Sequence, residues 1–116
     1  MVRPKEEAPK NYSLRVTEHA FQNIDQITGY IAFIKHEPLS AISVGNQIFK
    51  TIDRIEKNPL AFRESQGIPT KSKIYRQAIC LSWLIIYKIK ASEIVILGLI
   101  HQHRRPSRTR SMRKAK

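Results

Sequence analysis

Lysine, arginine and histidine side chains recur through the last third of the chain, where apolar and polar residues alternate. Arg76 and Lys88 lie in two consecutive strand-like segments, and His101 ends a third one. Cations of this kind position the phosphates of a polyanion, and a histidine can transfer a proton. The complete set considered for such a site is Lys71, Lys73, Arg76, Lys88, His101, Arg104 and Arg105. This is the chemistry that an RNA-cleaving site would need.

A second interpretation of these residues involves no function. Alternation along an antiparallel strand places cationic side chains on the solvent side of a sheet, whether or not they bind anything. The sequence leaves both interpretations open for Arg76 and for His101.

Other kinds of chemistry have weaker support. His101 and His103 have the spacing of two ligands on one face of a strand, but no cysteine lies near them and no acidic residue follows Glu93. Cys80 has apolar neighbours, where a cysteine usually behaves as a small buried hydrophobe. The chain contains no glycine-rich phosphate loop and no G-x-S-x-G motif. We therefore expect neither a metal site nor a cofactor.

The charge of the chain is large and uneven. The 116 residues predict one domain, and their net charge is +12. Residues 101–116 hold seven basic residues and no acidic one, which leaves 14 basic and nine acidic residues in the rest of the chain. Such a basic block often binds nucleic acid or an acidic protein segment, and otherwise it stays solvated. The charge therefore predicts a macromolecular partner.

The sequence also predicts a cytoplasmic location. A single cysteine excludes an internal disulfide, as is usual for a reducing compartment. Residues 1–11 contain no apolar signal region, and the longest nearly apolar run, 78–87, is too short to span a bilayer.

Two helical patterns follow a short strand pattern at 12–17. Thr17 is a suitable N-cap, with Glu18 in the first turn. The first helix has one apolar stripe, and the second helix, from Leu39 to a stop at Asn58 and Pro59, has another. The stripes are Ala20, Ile24, Ile27, Ile31 and Ile34 in the first, and Val44, Ile48, Ile52 and Ile55 in the second. The short link between them predicts an antiparallel helical hairpin.

Three strand patterns complete the domain. They cover 74–81, 83–90 and 93–101, follow a loop at 60–73, and are joined by turns of two or three residues. Such short connections require an antiparallel meander. The predicted fold is therefore α+β: a strand that joins the later sheet, a helical hairpin that covers one face, and three antiparallel strands.

In its order and spacing this pattern resembles the RelE/ParE superfamily of toxins from type II toxin–antitoxin systems. The similarity covers 12–106 and is carried by the segments 12–20, 24–32, 41–59, 75–76, 84–89 and 94–106. It implies a bacterial toxin that is neutralised by a cognate antitoxin. It also divides the chain into a flexible extension at 1–11, a toxin domain at 12–106 and a flexible basic tail at 107–116.

The resemblance implies one of two activities. ParE-like members inhibit DNA gyrase by binding, whereas RelE-like members cleave messenger RNA on the ribosome. The ending His101-x-x-Arg104-Arg105-Pro106 is nearer the ParE pattern, and no tyrosine follows Tyr87 to serve a nuclease. We expect gyrase inhibition, with Arg76, Lys88, His101, Arg104 and Arg105 in contact with the target. The alternative is an mRNA endonuclease that uses Arg76, His101 and Lys73.

The resemblance also implies an antitoxin with an acidic, flexible C-terminal half, in a toxin–antitoxin hetero-oligomer. An amphipathic antitoxin helix would suit the apolar groove of the hairpin. The residues expected to contact it are Phe21, Tyr30, Phe33 and Phe49. The alternative is that these aromatic side chains belong to the core. A third interpretation, a nucleic-acid-binding module, is weaker because no aromatic residue interleaves the basic tail to stack bases.

Overall fold

The computed structural model describes residues 12–65 and 74–103, and these residues form a four-stranded sheet and a helical hairpin. The elements occur in the predicted order. They are β1 (Ser13–Val16), α1 (Glu18–Gly29), α2 (Pro38–Lys57), β2 (Tyr75–Cys80), β3 (Trp83–Lys90) and β4 (Glu93–His101). The extension at 1–11, the tail at 107–116 and the candidate residues Lys71, Lys73, Arg104 and Arg105 lie outside the described residues.

The sheet has the strand order β1-β4-β3-β2. β2, β3 and β4 form the predicted antiparallel meander. Its two turns begin at Leu81 and Ala91, whose φ values of 57° and 56° are uncommon for residues other than glycine. β1 pairs with β4 in parallel, with Ser13 opposite Glu93 and Val16 opposite Ile96. The prediction that the first strand joins the later sheet is therefore confirmed.

The start of α1 is fixed by Thr17. The Thr17 hydroxyl accepts the N–H of Ala20 at 3.1 Å, as the predicted N-cap should, and donates to the carbonyl of Leu97 at 3.2 Å. Further along α1, the side-chain oxygen of Asn23 accepts the N–H of Leu99 at 2.9 Å. These bonds join α1 to β4, so the helix lies directly on the sheet.

The chain leaves the α-helical path after Gly29. Residues Tyr30–Ile34 form a π-helical turn, in which the N–H of Lys35 reaches the carbonyl of Tyr30. The wider turn rotates the following side chains away from the stripe that an α-helix would give. Ile34 is consequently 65% exposed, so the prediction that it continues the buried stripe is wrong.

The second helix follows its predicted pattern closely. Pro38 occupies its first turn, where the missing N–H is not needed. Ile48, Ile52 and Ile55 are buried against the sheet. The helix ends before Asn58, and a short 3₁₀ turn begins at Pro59. The hydroxyl of buried Tyr87 donates a hydrogen bond to the Pro59 carbonyl at 2.6 Å. This bond holds the end of the hairpin over β3.

Both faces of the sheet carry buried apolar side chains. The face toward the helices includes Ala78, Ile85 and Ile96, together with Cys80, whose thiol is free and buried as the sequence predicts. The opposite face has a second cluster that consists of Tyr75, Ile86, Val95 and Leu97. This face is therefore only in part the solvated, cationic side that alternation suggested, because Lys88 lies on it but its centre is apolar and buried. No helix among the described residues is long and apolar enough to cross a membrane.

Candidate functional site

Arg76 is held against the backbone at the end of the hairpin. Its Nη1 donates to the carbonyl of Phe62 at 2.7 Å and to that of Leu60 at 3.2 Å. Its Nε is buried and has no hydrogen-bond partner among the described residues. The guanidinium is thus engaged by backbone carbonyls of the protein itself. These hydrogen bonds hold β2 against the segment that follows α2.

The surroundings of Arg76 also affect Tyr87, which lies directly opposite it on β3. Burial raises the pKa of the Tyr87 hydroxyl far above its ordinary value, and the charge of Arg76 offsets a part of that rise. The ring of Phe62 meets the Tyr87 ring edge to face at 6.3 Å. Tyr87 is therefore a neutral hydrogen-bond donor inside the fold at any physiological pH.

Lys88 and Arg76 lie on opposite faces of the sheet. Arg76 pairs with Tyr87 in the helix-facing core, whereas Lys88 pairs with Tyr75 in the second cluster. Residues directly opposite each other on paired strands share a face, and neighbours along a strand do not. The expectation that one sheet face presents both cations is therefore wrong.

His101 lies at the far end of the sheet. It is opposite Trp83, which is opposite Cys80 at the end of β2. Four residues along β2 and two strand spacings separate it from Arg76, a Cα distance of about 17 Å. The structure does not bring these two residues to one site. A phosphate bound beside His101 would lie beyond the reach of the Arg76 guanidinium.

The imidazole of His101 forms one wall of a small cavity between α1 and the ends of β3 and β4. The cavity has a volume of about 300 Å³, and Trp83, Tyr30 and the amides of Asn23 and Gln26 also line it. The His101 ring meets Trp83 edge to face at 6.3 Å, and its Nδ1 accepts the N–H of His103 at 3.3 Å. Among the described residues, neither a carboxylate nor a lysine or arginine lines this cavity.

A larger groove runs along the outer side of the helical hairpin. It has a volume of about 650 Å³ and is lined mostly by apolar side chains from both helices. Three of the four predicted antitoxin contacts line it, and they are well exposed: Phe21 by 47%, Phe33 by 77% and Phe49 by 45%. The alternative that these three rings belong to the core is therefore wrong. Tyr30, which is 54% exposed, lines the His101 cavity instead.

The floor of the groove consists of small residues. Gly29 faces open space, since a Cβ built there meets no atom within 4 Å, and a Cβ on Gly45 would lie 3.6 Å from the Thr28 methyl. Ile42, 61% exposed, extends the apolar lining. Sequence reasoning missed Ile42 and Gly45, although Pro38, Ile42, Gly45 and Phe49 recur at helical spacing as a second stripe on α2. The floor allows another helix to approach the hairpin closely.

No group of three or more metal-ligating side chains occurs in the described part of the chain. The arrangement offers two surfaces instead: an apolar groove on the hairpin and a polar cavity beside His101.

Chains of solved toxin–antitoxin systems share this fold. A chain of the chromosomal ParDE system from P. aeruginosa superposes with a TM-score of 0.65 and 21% identity, over 78% of this chain and 96% of that one. The RelBE2 complex from Mycobacterium tuberculosis superposes with a TM-score of 0.51 and 16% identity, over 82% of this chain and all of that one. No curated protein is significantly similar in sequence.

The family is defined by the sequence over nearly the whole domain. Residues 14–106 match the model of the ParE toxin of type II toxin–antitoxin systems. The chain therefore belongs to the ParE toxin family, in agreement with the resemblance found in its segments.

Proposed function

We propose that this protein inhibits DNA gyrase by binding it, and that a cognate antitoxin neutralises it by occupying the hairpin groove. The first part is supported by membership of the ParE toxin family. The separation of Arg76 from His101 supports it further, since a nuclease needs its cations and its proton donor around one phosphate. A binding poison needs only a surface that fits its target.

The target surface in this proposal is the end of the sheet that carries His101, together with Arg104 and Arg105. Lys88 would make a separate contact, because it lies opposite Val95, toward the other end of β3, and on the other face of the sheet. Arg76 would act indirectly, because its guanidinium is bound to the carbonyls of Phe62 and Leu60. We place the toxin in the bacterial cytoplasm, where gyrase acts.

The single observation that carries the antitoxin proposal is the exposed apolar groove. Phe21, Phe33 and Phe49 leave about half or more of their surface uncovered around a floor of small residues. Monomeric proteins rarely leave such a continuous apolar surface in water, and an amphipathic helix is the partner that fits a groove of this shape. The toxin and the antitoxin would then form a hetero-oligomer.

The gyrase proposal is tested by titrating the full chain into a supercoiling reaction. We expect supercoiling to stop and cleaved DNA to accumulate, while relaxation by topoisomerase I continues as a control. If gyrase is unaffected at saturating protein while ribosome-bound message is cut, the alternative function, a ribosome-dependent mRNA endonuclease, replaces this one.

The antitoxin proposal has a genomic test. A short reading frame that encodes a protein with an acidic C-terminal half should lie beside the gene for this chain. Its product should bind the chain and restore gyrase activity. A gene with no such neighbour would contradict the proposed pairing.

A further inference from the structure

The helical hairpin carries none of the net positive charge of the chain. Residues 18–57 contain five acidic and four basic side chains, although the whole chain has a net charge of +12. The positive potential must therefore originate elsewhere on the molecule. An acidic partner segment is attracted to those other surfaces rather than to the hairpin.

Four of the five acidic side chains of the hairpin lie on or beside its groove face, and the fifth, Glu37, immediately precedes α2. Asp25 lines the groove directly. Glu18 lies on the same face of α1, and Asp53 and Glu56 continue the groove face of α2 beyond Phe49, at helical spacing. Because the two helices are antiparallel, these three carboxylates flank the same end of the groove. All four are exposed, and none forms an ion pair with another described residue.

The three basic side chains of α2 lie farther around the helix from the middle of the groove, and the fourth basic residue, Lys35, lies in the link between the helices. α1 has no lysine or arginine. On α2, Lys50 and Lys57 are rotated by about a quarter turn from Phe49. Arg54 is rotated further and packs over the ring of Phe62, with 5.7 Å between its guanidinium carbon and the ring centroid. The groove is therefore an apolar surface with an acidic border.

We infer that the helix seated in this groove has lysine or arginine on both sides of its apolar stripe, and that the acidic part of the antitoxin binds elsewhere on the chain. The inference rests on the proposed function for the identity of the partner. Carboxylates along the border attract basic flanks and repel acidic ones. The exposure of these groups makes each pair weak, so the selectivity comes from four carboxylates acting together.

Two synthetic helical peptides test the inference against the full chain. Both are 18 residues long with the same leucine and alanine stripe, and their flanking positions are all lysine in one and all glutamate in the other. Groove binding is the part of the binding that Gly29→Leu removes, because the glutamate peptide can also bind the basic surfaces elsewhere on the chain. By that measure we expect the lysine peptide to bind about tenfold more tightly at low salt, and the difference to shrink in 1 M salt. Asp25→Asn should weaken the lysine peptide by about two- to threefold.

The matched control is Gln26→Lys. It changes the net charge as Asp25→Asn does, but it lies about 100° around the helix from Asp25, toward the His101 cavity. We expect it to leave the peptide preference unchanged. A second variant, Gly29→Leu, places a side chain in the open groove and should remove the groove binding of both peptides.

Equal binding of the two peptides, preference for the glutamate peptide or no binding of either would overturn the inference. An equal effect of Asp25→Asn and Gln26→Lys would do the same, because it would indicate a response to net charge alone. The gyrase assay is independent of these outcomes. Peptide selectivity without gyrase inhibition would contradict the proposed function and leave the inference intact.

Discussion

Replacing Arg76 with methionine should destabilise the fold by about 2 kcal/mol. The substitution keeps the aliphatic stem and removes the guanidinium, which donates to the carbonyls of Phe62 and Leu60 at 2.7 and 3.2 Å. A hydrogen bond that involves a charged group contributes about 1.5–3 kcal/mol. We assign nearly all of the lost free energy of unfolding to the shorter, partly buried bond and little of it to the longer, exposed bond. For a domain of this size, such a loss lowers the melting temperature by roughly 8 °C.

The measurement is urea or thermal unfolding of the purified chain, followed by circular dichroism. Lys88→Met is the matched control, since Lys88 lies on the paired strand but on the opposite face. We expect it to change the free energy of unfolding by less than about 0.5 kcal/mol. If Arg76→Met unfolds like the wild type and yet loses inhibition of gyrase, Arg76 contacts the target and our structural assignment is refuted.

Three further substitutions test the packing around the hairpin. Thr17→Val removes the N-cap oxygen and the bond to Leu97, and it should destabilise the chain by about 1–2 kcal/mol in urea unfolding, whereas Thr17→Ser should restore most of the loss. Burial raises the pKa of Tyr87 above its unfolded value of 10.0, so the free energy of unfolding should fall as the pH rises above about 10. Tyr87→Phe should make this fall less steep, and it should lower the free energy of unfolding at pH 7 by about 1 kcal/mol. Gly29→Ala should stabilise the chain by about 0.5–1 kcal/mol, because Gly29 is helical and a Cβ there meets nothing; a loss of stability would contradict the described geometry.

The two helices and the meander were predictable because each follows one dominant local signal. The stripe of Ile48, Ile52 and Ile55 has a strict helical period, and these residues are buried. The Thr17 cap and the stop at Asn58 are local in the same sense, since each depends on a few neighbouring residues. Such features depend on residues that are close together in sequence, so a short segment is enough to predict them.

Other features of the fold could not be predicted from local patterns. The parallel pairing of β1 with β4 joins residues that are about 80 positions apart, and nothing near Ser13 in sequence specifies its partner. The π-helical turn interrupts a stripe that fits an ordinary helix as far as Ile34. Alternating cations suggested a solvated sheet face, but the same alternation supplies the apolar cluster around Ile86 and Val95.

The same contrast between local and non-local information applies to the candidate site. The exposed aromatic residues were named from the sequence, but only the packing of the hairpin distinguishes Phe33, in the groove, from Tyr30, beside His101. The proposed cationic site failed because residue types do not specify register. A shift of one position along a strand is enough to place Lys88 and Arg76 on opposite faces.

The most direct test of the central claim is gyrase supercoiling in the presence of both partners. The wild-type chain should inhibit the reaction, and the product of the neighbouring antitoxin gene should relieve that inhibition. Gly29→Leu, which fills the groove, should still inhibit gyrase but should no longer be relieved at the same antitoxin concentration. Absence of inhibition by the wild type, or equal relief of the wild type and the variant, would contradict the account.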